Sequence, residues 1–338
     1  MEYISFGKTG LMVSRTAFGA LPIQRIASVE EAATLLRTAW DGGVNFFDTA
    51  RAYSDSEEKL GFALDEIRKD VIVATKTGAR TGADLFKDLE TSLRNLQTDW
   101  IDVYQLHNPS FIPLPGGEDG LYDALAKARE EGKIRFFGVT NHSRQLALQA
   151  AESGLYDSIQ FPLSYLSAPE DVELAALCEE KQVGFLAMKA LAGGLLTNAR
   201  SAFAWMRKQE NAVPLWGIQK TSELEEFLAL EREPPVLDDE LSAMIEKDRA
   251  ELAGNFCRGC GYCLPCPANI PINNANRMRE LLRRSPPAQW LTPEWRELMS
   301  RIEDCTKCGL CAKRCPYGLK PYETLPAHLA DYRSFLPE

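Results

Sequence analysis

Long apolar runs are missing from this 338-residue sequence, and none approaches the roughly 20 residues that a membrane-spanning helix needs. The start, Met1 to Gly10, carries charges and has no apolar core of the kind a secretory leader carries. A soluble protein of a reducing cytoplasm is therefore expected, with no membrane span. A basic surplus is also missing. Asp and Glu outnumber Lys and Arg by 48 to 38, a formal charge of −10, which argues against nucleic acid as the main partner because phosphate contacts require basic surface. Gly-x-Gly-x-x-Gly occurs nowhere, so the turn that opens a Rossmann dinucleotide domain is not available. Cysteine is almost absent before residue 257, with Cys178 alone, set in the apolar pattern Leu174, Leu177, Cys178 of a core helix. With 45% apolar and 25% charged residues, the composition is that of a globular chain long enough for one large domain and a small one.

What is there begins with a short hairpin, Tyr3 to Phe6 and Leu11 to Ser14 around Lys8-Thr9-Gly10. One unit then repeats. Apolar, β-rich runs recur at Arg15 to Ala20, Val44 to Asp48, Val71 to Lys76, Ile101 to His107, Ile134 to Thr140, Ser158 to Phe161, Val183 to Lys189 and Val213 to Gln219. Helical patterns separate them, among them Val29 to Asp41, Ser56 to Ile67, Ala83 to Asn95, Leu121 to Glu131, Arg144 to Ser153 and Glu170 to Lys181. Ser28 with Glu31 three residues on marks a helix start, and Gly42-Gly43 and Gly132 mark ends. Strands apolar throughout, with helices between, imply a parallel sheet covered by helices, and eight of them favour a closed (β/α)8 TIM barrel of the α/β class. The barrel is expected over residues 1–230. Glu231 to Pro235 reads as a linker, and residues 231–256 as linker plus a helix from Leu237 to Ala253. Residues 257–338 form a small, mainly α-helical cluster domain, with helices at Asn273 to Arg284 and Pro293 to Ile302.

Eight of the nine cysteines fall in that last part: Cys257, Cys260, Cys263 and Cys266 before Pro267, then Cys305, Cys308, Cys311 and Cys315 before Pro316. Three thiolates two residues apart can wrap one face of a cubane cluster. Disulfides would need an oxidising compartment, and a tetrathiolate zinc needs only two Cys pairs; neither explains the third Cys and the trailing Pro. The tail resembles a bacterial dicluster ferredoxin. That resemblance implies two [4Fe-4S] clusters with exchanged fourth ligands, one on Cys257, Cys260, Cys263 and Cys315 and one on Cys305, Cys308, Cys311 and Cys266. The runs differ in one respect: Ala312, Lys313 and Arg314 precede the last Cys of the second, only Leu264 and Pro265 that of the first. The exchange is thus the point for a structure to test.

Chemistry in a (β/α)8 barrel is built at the C-terminal ends of its strands. Asp48, Lys76 and His107 fall at or beside three successive strand ends, with Tyr53 five residues after Asp48. A phenol is a poor proton donor at neutral pH unless a neighbouring cation lowers its pKa, which Lys76 can do. Asp48 would hold Lys76, and His107 would orient a substrate oxygen. The run Val44-Asn45-Phe46-Phe47-Asp48-Thr49-Ala50-Arg51-Ala52-Tyr53, then Ser56-Glu57, Leu60-Gly61, Val73-Ala74-Thr75-Lys76 and Tyr104-Gln105-Leu106-His107, resembles the aldo-keto reductases over roughly residues 1 to 230. The resemblance implies a catalytic tetrad of Asp48, Tyr53, Lys76 and His107. It also implies NADP or NAD across the barrel mouth, hydride transfer with a carbonyl or alcohol, and Tyr53 as proton donor.

Cofactor contacts implied by the same resemblance are Thr140 and Asn141 at the carboxamide, Gln160 beneath the nicotinamide ring, and the loop Ala187 to Leu195 at the pyrophosphate. Within that loop Lys189 can meet phosphate as a point charge, and Lys220 follows the eighth strand on the adenosine side. His142 reads as a loop residue, Trp216 as packing on the eighth strand, and Glu225-Glu226 as a solvated helix face. Two functions follow. One is a nicotinamide-dependent oxidoreductase whose clusters exchange electrons with a partner protein; the other is a nicotinamide-binding redox sensor or electron-transfer adaptor without carbonyl reductase turnover. Nicotinamide carries two electrons and a cluster one, and no flavin motif stands between them.

Overall fold

The computed structural model describes residues 1–252 and 256–336. Strands β1 (Tyr3–Ser5) and β2 (Met12–Ser14) pair antiparallel as the expected hairpin. Eight parallel strands follow: β3 (Ala17–Gly19), β4 (Phe46–Asp48), β5 (Ile72–Thr77), β6 (Ile101–His107), β7 (Ile134–Thr140), β8 (Ser158–Pro162), β9 (Gly184–Met188) and β10 (Ala212–Gly217). They close in chain order, with β10 pairing to β3. Helices such as Val29–Asp41, Gly82–Asn95 and Arg144–Ser153 lie between successive strands, each started by a hydroxyl side chain, Ser28, Thr81 or Ser143, that accepts a backbone N–H of the first turn.

The barrel is filled at one end and left polar at the other. Phe6, Leu11 and Val13 of the hairpin region pack with Phe46, Val103 and Leu186 into one apolar cluster. Phe6 is fully buried, with its ring 5.7 Å from that of Phe46. Burying one such side chain contributes about 1.5–3 kcal/mol. Gly184 makes room for it, since a Cβ there would stand 2.6 Å from the Phe6 ring. The side chains left for chemistry are those at the C-terminal strand ends.

The helix after β10 runs Thr221–Arg232, so Glu231 is helical and not part of a linker. Its carboxylate is buried, accepts from Thr16 Oγ1 at 2.5 Å and pairs with Arg207 at 2.6 Å. Those partners offset the cost of burying the charge and carry the helix past the expected boundary.

The chain divides into two compact units, Met1–Ala190 with Arg200–Leu237, and Leu191–Ala199 with Asp238–Glu338. In the second, Asp238 caps the helix Asp239–Glu251 by accepting from the Leu241 amide at 2.9 Å; the expected end at Ala253 lies outside the described residues. The single helix expected over Asn273 to Arg284 is instead two, Ile272–Ala275 and Met278–Arg284, interrupted at Asn276 and Arg277. Both interrupting side chains are buried and bonded elsewhere: Asn276 Oδ1 accepts from Thr324 Oγ1, and Arg277 Nη2 donates to the Gly193 carbonyl at 2.6 Å. Helix Pro293–Ser300 starts at Thr292 as its capping residue. A last helix, Pro321–Arg333, forms although Pro326 lies inside it and cannot donate a backbone hydrogen bond. It is held by buried Leu325, Leu329 and Tyr332 and by a two-bond pair between Arg283 and Asp331 at 2.6 and 2.7 Å. Among the described residues, no helix is long and apolar enough to cross a membrane.

Candidate active site and cluster ligands

Asp48 ends β4, Lys76 lies near the end of β5 and His107 ends β6, so adjacent parallel strands deliver three of the four expected residues to one place. Lys76 is fully buried and donates to both carboxylate oxygens of Asp48, at 2.7 and 2.6 Å, and to the Thr49 carbonyl at 2.6 Å. Burial pushes the Asp48 carboxyl up and the Lys76 ammonium down, and each partner's charge opposes the shift of the other. Tyr53, in the loop after β4, places its ring 5.3 Å from Lys76 Nζ and 5.8 Å from the His107 ring, edge-on at 83°. His107 is only partly exposed. Burial first, then the charges of Lys76 and Arg80, drive its pKa down to about 3, so the imidazole is neutral near pH 7.

Gln160, within β8, joins this group. Its side chain hydrogen-bonds Asp48, as does that of Gln105, and Gln105 Nε2 donates to Gln160 Oε1 at 3.0 Å. Gln105 was not singled out from sequence. The signal was present, because residues two apart on a strand face the same side and Gln105 stands two before His107. Glu57 is the second omission. Its fully buried carboxylate accepts from Thr75 Oγ1 and Ser92 Oγ, both at 2.7 Å, and pairs with Arg51, tying the loop that carries Tyr53 to β5.

The remaining cofactor candidates are spread along the same rim. Thr140 is the last residue of β7 and is buried. Asn141 follows it, donating from its side chain to the Pro109 carbonyl at 2.9 Å and accepting from the Ser143 amide at 2.8 Å, so its amide also holds two loops. Lys189 stands one residue past β9 with φ +58°. Lys220 is the exposed residue before the helix Thr221–Arg232. His142 is buried in the loop after β7. Cys178 is fully buried, its thiol pushed up to about 12 by burial, as a core residue's would be. Trp216 is buried and stacked between Phe203 and Phe227, at 6.3 and 4.4 Å. Glu225 and Glu226 are exposed.

Among the described residues, the region 17–212 matches the family model described as "Aldo/keto reductase family", and 256–320 the one described as "4Fe-4S dicluster domain". The chain belongs to the aldo/keto reductase family. It is an oxidoreductase of this type that carries a 4Fe-4S dicluster domain in its C-terminal region. It is 32% identical over 215 residues to the L-galactose dehydrogenase of Arabidopsis thaliana, across 58% of this chain and 67% of that protein. It is likewise 32% identical over 217 residues to the aldo-keto reductase YhdN of Bacillus subtilis, across 58% of this chain and 64% of that protein. The chain thus spans about two thirds of the length of these relatives. An aldo-keto reductase of Klebsiella pneumoniae solved in complex with NADPH shares the fold, with a TM-score of 0.64 at 24% identity, over 73% of this chain and 94% of that one.

In the second unit of this aldo/keto reductase, none of the eight tail cysteines is paired in a disulfide. Cys305, Cys308 and Cys311 border a cavity together with Cys263 and Cys266. Cys257 has Cys260 and Cys315 as electrostatic neighbours, Cys263 has Cys257 and Cys260, and Cys311 has Cys305. The Gly259 amide donates to Cys257 Sγ at 3.4 Å, the kind of bond that suits a thiolate ligand. Among the described residues, no three Cys, His, Asp or Glu side chains converge on a site for a single metal ion. A donor set of thiols around a cavity fits a cluster better than one ion.

Proposed function

We propose that this aldo/keto reductase is a nicotinamide-dependent enzyme that interconverts a small carbonyl compound and its alcohol, with NADP or NAD as the hydride carrier. Asp48, Tyr53, Lys76 and His107 are assigned as the catalytic group. The observation that carries this reading is the buried Lys76–Asp48 pair set 5.3 Å from the Tyr53 ring, with His107 edge-on to that ring. Bound nicotinamide would supply the hydride, and the tail's clusters would supply one-electron transfer to a partner protein.

The chain's own residues do the rest. Tyr53 Oη gives its proton to the carbonyl oxygen during reduction and takes it back in the reverse direction. The Lys76 ammonium beside the ring favours the negative charge that develops on that oxygen as the proton leaves. Asp48 keeps Lys76 charged and in place. His107, neutral because its pKa lies near 3, offers a hydrogen bond to the substrate oxygen without competing for the proton. Gln160 and Gln105 form a buried polar floor. Gln105 Oε1 is buried without a partner there, which suits a site that receives a further polar group. Thr140, Asn141 and Gln160 are assigned to the nicotinamide end, Lys189 and Lys220 to the phosphate and adenosine side.

Two clusters are assigned by the same reasoning, one on Cys257, Cys260, Cys263 and Cys315, the other on Cys305, Cys308, Cys311 and Cys266. The neighbour relation of Cys315 with Cys257 supports an exchanged fourth ligand at the first site, and Cys266 borders the same cavity as the second run, as Cys263 does. Eight such thiolates suit a reducing cytoplasm. The test is to purify the full chain anaerobically and offer NADH or NADPH with a panel of aldehydes, ketones and quinones, beside Tyr53→Phe. Loss of the positioned acid is expected to cut kcat by about 10²–10⁴-fold with nicotinamide binding retained. Tight nicotinamide binding with no turnover of any substrate would sink the enzyme reading and leave the redox sensor. Iron and sulfide should each approach about eight per chain; zinc in their place would refute the cluster assignment.

A further inference from the structure

Arg277, in the cluster unit, is a buried charge whose placement neither the barrel chemistry nor the ligand assignment explains. It is only 6% exposed, although arginine is among the residues least often buried without an ionic partner. No salt bridge to it occurs among the described residues. Nη2 donates to the Gly193 carbonyl at 2.6 Å, and Nε is buried without a partner. Nη1 lies against Gly259, so close that a Cβ at that position would collide with it, and Gly259 has φ +62°. Gly259 is also the residue whose amide donates to Cys257 Sγ. The guanidinium is therefore wedged behind the Cys257 to Cys260 turn, with Cys257 as its leading electrostatic neighbour and the carboxylate of Glu280 second. Placing it there breaks the helix that the sequence pattern would otherwise continue from Asn273 to Arg284.

A buried cation needs a buried anion nearby, or it costs several kcal/mol. The thiolates of the first run, joined as an anionic cluster, are that countercharge. Among the described residues, no buried cation is seen to stand in the same way beside the second run. Its cations, Lys307, Lys313, Arg314 and Lys320, are all exposed, and water and salt screen exposed charges strongly. Cys308 of that run is itself exposed. The two sites thus differ in the unscreened charge beside them, one of the properties that set the reduction potential of otherwise similar clusters.

We propose that Arg277 is a positioning residue that makes the two clusters unequal: it raises the reduction potential of the cluster on Cys257, Cys260, Cys263 and Cys315 above that of its partner. Electrons from an external one-electron donor enter at the exposed second-run site and come to rest at the first-run site. The inference rests on the two-cluster assignment above, and the experiment separates the two. Iron and sulfide content of the anaerobic full-length protein is measured first, and a shortfall from about eight of each overturns the assignment.

With both clusters present, dithionite titration followed by electron paramagnetic resonance should show two one-electron steps. Their separation should be at least tenfold in equilibrium constant, which is 59 mV for a one-electron couple. Cys257→Ser should alter the spectrum of the upper step alone. Arg277→Gln, which keeps a polar amide but has no charge, should lower the upper step by tenfold or more and leave the lower one in place. Arg277→Lys, which keeps the charge, should hold the upper step within about threefold of wild type. Coincident steps in the wild-type protein overturn the proposal whatever the variants do. So does an Arg277→Gln protein with both steps unmoved or moved together. If Arg277→Gln fails to retain iron, the wild-type separation and the lysine variant decide.

Discussion

Replacing Asp48 by asparagine removes one charge and almost no volume, leaving the buried Lys76 ammonium with neutral acceptors, the new amide oxygen and the Thr49 carbonyl, in place of its carboxylate. Lys76 is 1% and Asp48 4% exposed, so water cannot take over the lost interaction. Breaking a buried pair in this way costs about 3–5 kcal/mol. For a domain of this size each kcal/mol lowers Tm by roughly 2–4 °C, so a fall of about 10 °C is expected by circular dichroism or scanning calorimetry. The double variant Asp48→Asn/Lys76→Met removes both charges and should recover much of the loss, because no uncompensated ion remains. That non-additivity, about 0.5–3 kcal/mol for groups in contact, is the signature of the pair. An Asp48→Asn protein within about 1 kcal/mol of wild type, or a double variant whose loss equals the sum of the two single losses, would refute the account of Lys76 as a dry, paired cation.

His107 carries a pH prediction. Its folded pKa is depressed to about 3 from an ordinary 6.5, so between those values the unfolded chain binds the extra proton. Stability should therefore fall as pH drops through this window, by at most about 1.4 kcal/mol per pH unit. His107→Asn should flatten urea midpoints between pH 6.5 and 4, and equal slopes in both proteins would contradict the shift. Gly138→Ala should be severely destabilising, because its Cβ would collide with the Ser158 side chain and carbonyl on the neighbouring strand. A loss of about 1–3 kcal/mol or more is expected in denaturant titrations.

The barrel was legible in the sequence because parallel strands buried on both faces read as apolar runs, and eight of them with helices between leave few alternatives. Residue pairs at strand ends were legible for the same reason: once the strands are in order, Asp48 and Lys76 must be neighbours. What sequence could not supply was the burial of polar groups by distant partners. Nothing local marks Glu231 as helical, since Thr16 and Arg207, far away in the chain, make its place tenable. Glu57 reads as an ordinary acidic residue of a first turn until Thr75 and Ser92 converge on it. Arg277 is the extreme case, a helix former in a helical pattern that a carbonyl at Gly193 pulls out of the helix.

The segment Leu191–Ala199 falls between β9 and the helix Ala199–Met206 in the chain, yet it groups with the cluster unit, where its carbonyls at Gly193 and Leu195 accept from Arg277 and Arg284 at 2.6 and 3.1 Å. The tail is consequently not a detachable appendix. A gene cut after Leu237 would leave those two carbonyls without their donors in the middle of the remaining polypeptide. A tail transplanted from a relative would need the matching nine residues spliced in upstream. Redesign of this chain therefore has to treat its two compact units as interleaved in sequence and not as beads on a string.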